Sequence, residues 1–433
     1  MTVTPLGASV PARLLITGVA RPDGSVGDVY VDGPVLADPA GAPADVDRVD
    51  GTGLVVLPGL VDPHVHLRQP GREDAETIRT GTAAAARGGF TAVQAMANTT
   101  PVTDTAEIAA EVVRIAAAEG ACRVIPCGAV TKGLAGEQLA ELGLIHRATG
   151  TRCFSDDGAC VADPQVMRRA LEYVRPFDGV IAQHAQDPSL AGPDACCHEG
   201  DLSGRLGLGG WPIAAESSVV ARDVELAALT GSRYHVCHVS AADTLDVIRA
   251  AKARGVRVSA EVTPHHLLLT TDLLTGYDTT YKVNPPLRPA EHLEALRRAL
   301  ADGTIDMVGT DHAPHAAQDK DHPFVDARPG MTGLEQALAV VIETMVAPGL
   351  LDWAGVADRM SYAPAALLGL DDQGRPVAPG EPANLVLVDP RARRVVDPAD
   401  TASLARNNPY AGRDLPDPVR LTVCGGHVTY RRG

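Results

Sequence analysis

The sequence of 433 residues predicts an α/β chain: a closed (β/α)8 barrel joined to a small discontinuous, β-sandwich-like domain made from both chain ends. Three observations point there. Apolar strand-like runs alternate with Ala/Leu-rich helical stretches from about residue 54 to about residue 370. There are eight such runs, and eight strands separated by helices indicate a closed parallel barrel over an open doubly wound sheet. Finally, His66, Asn98, Asp157, His184, His238 and Asp311 all fall at the C-terminal ends of their runs. That is the face on which barrel enzymes build active sites, whereas an open sheet gathers its chemistry at one switch point.

In order, residues 1–53 hold short β-type pieces, 13–19 and 26–31, among Gly, Pro and Asp. The barrel is expected over 54–370, with strands in 54–66, 90–96, 122–131, 151–157, 179–184, 233–240, 256–266 and 305–315. Stretches 105–119, 164–174, 214–229, 241–254 and 290–301 are long enough for crossover helices. Residues 371–433 resume the texture of the N-terminus, with β-type pieces at 383–389 and 419–430. Neither end has the apolar content for a core of its own, so the two are expected to pair. The segment 316–328, charged and poor in apolar residues, reads as a mobile loop beside the barrel mouth and a candidate lid.

Composition narrows the function. A hydrophobic content of 45% in this length supports one large core plus a satellite. The formal charge of -16 argues against a nucleic-acid or anionic-membrane surface, since phosphate binding needs a basic face. No apolar run approaches the ~18 residues of a membrane span, and no basic, then apolar, leader opens the chain. The expected location is the cytosol. The eight cysteines show no Cys-x-x-Cys pair and are read as reduced, mostly buried residues.

The most informative stretch is Leu57-Pro58-Gly59-Leu60-Val61-Asp62-Pro63-His64-Val65-His66-Leu67-Arg68. Spacing of two on a strand puts both imidazoles on one face, where they can grip one metal ion. A lone His-x-His pair is common. Here Asp157, His184, His238 and Asp311 follow at or just after later strand ends, completing a zinc-type ligand set, and Arg68 adds a cation beside it. Two ions need more ligands than one pair offers, and this chain has them.

That motif, with Thr310-Asp311-His312-Ala313-Pro314-His315, resembles the amidohydrolase superfamily. Within it, Met96-Ala97-Asn98-Thr99, Phe154-Ser155-Asp156-Asp157-Gly158 and Lys282-Val283-Asn284-Pro285-Pro286-Leu287-Arg288 are similar to bacterial class I dihydroorotases. The resemblance spans nearly the whole chain. It implies a TIM barrel, two Zn²⁺ per subunit, and reversible hydrolysis of L-dihydroorotate to N-carbamoyl-L-aspartate by a metal-bridged hydroxide, in pyrimidine synthesis. It makes His64, His66 and Asp311 ligands of one zinc, His184 and His238 ligands of the other, and Asp157 the bridge, since the family's bridging aspartate immediately precedes the glycine of this motif. Many relatives bridge with a carboxylated lysine. Of the four lysines here none lies on the fourth strand candidate, and Lys132 is the nearest rival. The resemblance gives Asp311 the proton shuttle, Arg68 with Asn98 and His315 the substrate carboxylate, and Asn284 with Gly330 the ring amide edge. His66 also borders the substrate. A homo-oligomer, and association with aspartate transcarbamoylase, are further implications.

Two positions depart from the family pattern: Gln69 stands for an acidic residue, and Ala97 for a proline. Neither is an expected ligand. His235, His265 and His266 are left as buried, hydrogen-bonded histidines. A hydantoinase or allantoinase would share the barrel and metals, but a hydantoin carries no carboxylate for Arg68. A catalytically silent scaffold would have no chemical need for six metal ligands.

Overall fold

The apolar run 54–66 divides at Gly59, and this division separates the molecule's two main sheets. Val55–Pro58 belongs to the sheet of the chain ends, whereas Leu60–Val65 opens the barrel. A side-chain carbon on Gly59 would run into Thr91 of the next barrel strand, so the backbones approach this closely only with glycine there. The computed structural model of the protein describes residues 2–8 and 10–432.

The barrel strands are β1 Leu60–Val65, β2 Phe90–Ala95, β3 Arg123–Pro126, β4 Cys153–Phe154, β5 Val180–Gln183, β6 Arg233–Val236, β7 Val258–Val262 and β8 Met307–Val308. Strands β1 to β3 pair in parallel, and so do β4 to β8. Single parallel bridges, Gly128 with Phe154 and Val65 with His312, join the two groups at both seams and close the ring. Each strand falls inside its expected run.

The five expected crossover helices form as Ala106–Glu119, Pro164–Val174, Ala214–Thr230, Ala242–Ala253 and Ala290–Asp302. Local chemistry sets their starts. Asp163 accepts from the Gln165 and Val166 N–H groups ahead of Pro164, and Thr105 accepts from that of Ile108. Inside the barrel, Val61, Ala92, Ile125 and Val180 pack with Leu367 and Leu368 of helix Ala363–Leu368. That helix plugs the N-terminal end of the strands, which leaves the C-terminal end for chemistry.

The second sheet has nine strands, ordered Thr2–Val3, His427–Arg431, Val419–Cys424, Leu385–Val388, Val55–Pro58, Arg13–Ala20, Val26–Asp32 and Val35–Ala37, with Asp47–Asp50 beside Arg13–Ala20. Val55–Pro58 lies between strands from opposite chain ends, Leu385–Val388 and Arg13–Ala20. Leu14, Ile16, Val31, Val56, Leu385 and Leu421 give this sheet a core distinct from the barrel's. All eight cysteines are free. Among the described residues no helix is long and apolar enough to cross a membrane.

The segment 316–328 differs from its reading as a mobile loop. Lys320 Nζ donates to the carbonyls of Thr279, Lys282 and Arg328 at 3.0, 3.3 and 2.8 Å. Asp319 pairs with Arg72 at 2.6 Å, Lys282 Nζ donates to Val325 O at 2.8 Å, and Phe324 is buried. Charged residues there serve as internal ties, which composition alone reads as solvated chain.

Candidate active site and metal centre

The chain turns sharply where it leaves the strands. Arg68 after β1, His238 after β6 and Asp311 after β8 have φ of 59°, 33° and 47°, a region that non-glycine residues rarely adopt. Such conformations cost about 1–3 kcal/mol each and persist only where the surroundings over-determine them.

At the centre of the mouth, His64, His66, Asp157, His184, His238 and Asp311 are all buried. His64 Nε2 lies 3.3 Å from Asp157 Oδ1 and 3.7 Å from Asp311 Oδ1. His66 Nε2 lies 3.3 Å from Asp157 Oδ2 and 3.0 Å from Asp311 Oδ1. Across the same aspartate, His238 Nε2 and His184 Nδ1 stand 3.4 and 3.7 Å from Asp157 Oδ1, and 2.9 Å from each other. Two overlapping triads result, His64–His66–Asp157 and Asp157–His184–His238, within each of which one ligand atom per residue lies within 4.8 Å of the others.

Outer partners fix the rings. His64 Nδ1 donates to Glu261 Oε1 at 2.6 Å, His66 Nδ1 to Asn98 Oδ1 at 2.8 Å, and His184 Nε2 to Gln186 Oε1 at 2.9 Å. Each of these imidazoles spends its N–H outward and turns a lone pair toward the centre, the arrangement of metal-ligating histidines. His64 Nε2 and Asp157 Oδ1 are buried and have no hydrogen-bond partner. Burial lowers the basicity of His64, yet the charges of Asp157 and Glu261 outweigh it and raise the ring well above its usual value, so the carboxylates favour positive charge at Nε2, where a bound cation would take the place of the proton. Inward lone pairs and buried carboxylates around one point call for a cation, so the residues fit a divalent metal.

Beside the cluster lies a cavity of about 210 Å³ whose walls include His66, Arg68, Asn98, Asn284, Asp311 and His315. It falls below the ~300–1,000 Å³ of drug-sized sites and suits one small ring. Arg68 Nε donates to Pro314 O at 3.0 Å, and the guanidinium has no ion-pair partner among the described residues. Burial brings it down to about 10, opposed by the charges of Asp311 and Asp157. Asn284 Oδ1 is likewise buried without a partner. Gly330 lines the same cavity. Asn98 is less free than expected, since its oxygen takes the His66 N–H and its nitrogen donates to Asp157 O at 3.3 Å, leaving one N–H. Two larger depressions, of about 330 and 480 Å³, contain none of the six clustered residues.

A dihydro-orotase-like family model matches residues 53–244, and the amidohydrolase family model matches 212–429. A dihydroorotase of Streptomyces coelicolor is 56% identical over 422 residues, covering 96% of this chain and 98% of its own. The chain belongs to the dihydroorotase family of amidohydrolases. A second member, the dihydroorotase of Mycobacterium tuberculosis, is 53% identical over 430 residues, covering 97% of this chain and 99% of its own. Among solved structures, the L-hydantoinase of Arthrobacter aurescens superposes with a TM-score of 0.86 at 24% identity over 98% of this chain and 97% of its own. That likeness concerns the fold.

In this dihydroorotase-family site, Asp156 and Asp157 face different ways. Asp156 accepts from the backbone N–H groups of Val130 and Thr131 at 2.7 and 2.9 Å and from the Thr131 hydroxyl, while Asp157 stands among the histidines. Lys132 is exposed, outside the cluster. His235 bonds Ser259 and Glu261, His266 bonds Thr263 and the Pro286 carbonyl, and His265 Nε2 is buried without a partner.

Glu261 was missed by the sequence reading. It receives His64 Nδ1–H, His235 Nε2 at 3.2 Å and the His238 N–H at 3.3 Å. Burial raises its carboxyl, but His64 and His235 overcome this and keep it far below the usual range. Its signal was available: a lone carboxylate on the apolar strand Val258–Val262, on the same face as Ser259 by alternation.

Proposed function

We propose that the protein is a dihydroorotase, hydrolysing the ring amide of L-dihydroorotate to N-carbamoyl-L-aspartate and closing it in reverse, with two Zn²⁺ per subunit. The observation that carries this reading is the half-buried Arg68 guanidinium, without an ion-pair partner among the described residues, in the wall of a ring-sized cavity whose other side is the histidine–aspartate cluster. A desolvated cation there favours a ring that bears a carboxylate, for which the planar donor fork is suited. In this reading His64, His66 and Asp311 hold one ion, His184 and His238 the other, and Asp157 both. Bound there, divalent ions supply an ionisable water near neutral pH and a Lewis acid for the amide carbonyl.

The chain's own residues do the rest. Arg68, with His315 and the remaining N–H of Asn98, holds the carboxylate, and Asn284 with the backbone at Gly330 holds the amide edge. Asp311 accepts the proton of the attacking water and returns it to the departing ring nitrogen. Burial raises its carboxyl, but the His66 hydrogen bond and the His64 charge prevail and bring it to about 2, so it is ionised near neutral pH and has an open position for a proton. We read residues 54–370 as the catalytic barrel and 1–53 with 371–433 as one small domain, in a cytosolic homo-oligomer able to associate with aspartate transcarbamoylase.

The test pairs metal content per chain with turnover of dihydroorotate, hydantoin and allantoin on one sample. Turnover of dihydroorotate alone is expected; preference for either carboxylate-free ring would overturn the reading in favour of another cyclic-amide hydrolase. For the bridge, Lys132→Ala should keep both ions and full activity without added bicarbonate, and loss of metal would remove Asp157 from that role.

A further inference from the structure

We infer that Asn407, which comes from the segment after the barrel, is the positioning residue that sets the carboxylate-binding end of the site. The proposal rests on the dihydroorotase reading above and deepens it. One buried carboxamide makes three hydrogen bonds. Oδ1 accepts from the His315 N–H at 3.1 Å, while Nδ2 donates to Ala313 O at 3.0 Å and to Gly330 O at 3.1 Å. The Asn407 carbonyl then accepts from the Thr332 N–H at 3.1 Å. Ala313 and His315 lie on the turn after β8, and Gly330 and Thr332 on the chain returning from the 316–328 segment. Asn407 stitches the two together, 92 residues beyond His315.

The spacing it sets is tight. Gly330 has φ 144°, and a side-chain carbon there would come within 2.7 Å of His315 Nε2. Small movement of either segment therefore changes where His315 meets a ligand. The stitch is itself held: Ser403 Oγ and the Leu404 N–H bond Glu76, and Asn408 Nδ2 donates to Gln336 Oε1 at 3.1 Å. Asn407 makes no hydrogen bond to a clustered metal-site residue, so its influence falls on the substrate-binding wall, at His315 and at Gly330, and not on the cluster. A carboxamide suits the post because one planar group supplies an acceptor and two donors. A carboxylate of the same shape keeps the bond from His315 and turns the other two into oxygen facing oxygen.

The experiment compares the wild-type holoenzyme with Asn407→Asp, measuring KM and kcat for dihydroorotate, orotate binding by calorimetry, and metal per chain. Expected are a KM at least tenfold higher, orotate affinity reduced by a similar factor, kcat within threefold, and unchanged metal content. A role confined to general stability would lower the melting temperature and leave the KM of the folded fraction unchanged, and that result overturns the proposal. So does a fall in kcat at constant KM. If Asn407→Asp does not yield folded protein, Asn407→Ala removes the stitch without setting a charge against two carbonyls, and the same split is required of it. Wild-type enzyme that fails to turn over dihydroorotate defeats the functional reading; wild-type enzyme that does so, with variants of unchanged KM, defeats only the role of Asn407.

Discussion

The two ends of the active-site cavity are built differently. At the end proposed to hold metal, side chains come from the ends of β1, β4, β5, β6 and β8, and two of the histidines are aimed by partners on neighbouring elements, His64 by Glu261 of β7 and His66 by Asn98 after β2. At the end proposed to take the substrate carboxylate, Arg68 and His315 sit on turns, tied to the backbone carbonyls of Pro314 and Pro329, and His315 is tied through Asn407 to a distant segment. Barrel strands supply rigidity directly, so the metal end needs only local alternation to be correct. The carboxylate end obtains its geometry from long-range hydrogen bonds, and its precision depends on chain far from the chemistry.

The largest expected effect belongs to the metal end. Asp311→Asn keeps the shape and one ligating oxygen but cannot accept a proton, so hydrolysis of dihydroorotate should fall by about two to four orders of magnitude. Metal content should drop only in part. Metal-replete variant with wild-type rate and pH profile would end the proton-shuttle assignment, whatever its standing as a ligand. At the other end, Arg68→Met removes the charge-assisted pair proposed for the substrate carboxylate, a cost of about 2–4 kcal/mol with that carboxylate desolvated. Turnover of dihydroorotate should fall by roughly one and a half to three orders of magnitude with metal content level. An unchanged rate would mean that the carboxylate end is misassigned.

The same contrast governs what was legible in the sequence. Strand positions, crossover helices and the six clustered residues could be read because each carries a local mark: an apolar run, an Ala/Leu-rich stretch of crossover length, a polar residue where a run ends. Glu261 carried such a mark and was passed over because a carboxylate inside a strand is not itself a ligand. The split of 54–66 at Gly59 was invisible because both halves are apolar and strand-like, and only the approach of Thr91 decides it. The ties of 316–328 depend on Lys320 meeting carbonyls of the segment 279–282, and Asn407 meets Ala313, His315 and Gly330. Neither has a spacing to read. Charged and polar composition says only that such chain tolerates water.

A smaller effect separates ligand from support at the metal end. Glu261→Gln keeps the size of the side chain and removes the charge that orients His64 and His235, and partners of this kind typically contribute 10–100-fold in metal affinity or activity. Dialysis against graded chelator, followed by metal analysis, should show the variant releasing metal at about 10–100-fold lower chelator strength than wild type. Release at the same strength would mean that β1 alone fixes His64, and that the metal end is more local still.

The smallest effect concerns one proton at the carboxylate end. His315 Nε2 lies 2.8 Å from Pro329 O, and a carbonyl can only accept, so Nε2 carries the proton. Burial, then the charges of Arg68 and Lys320, bring the imidazolium down to about 3 against the opposing charge of Asp319, so the free site near neutral pH holds His315 neutral, with Nδ1 unprotonated and 3.6 Å from Asp319 Oδ2. A substrate carboxylate meeting Nδ1 finds no donor unless a proton arrives with it. The bound anion raises the affinity of the ring for that proton, and a group whose pKa rises on binding strengthens binding as pH falls toward the bound value. Orotate binding should therefore take up a fraction of a proton at about pH 6 and less at about pH 8, read by calorimetry in two buffers of different ionisation enthalpy. His315→Gln, whose carboxamide donates without titrating, should abolish the uptake while keeping most of the affinity. Equal uptake in the variant would assign the proton to another group, and no uptake in wild type would mean that Arg68 holds the carboxylate without His315.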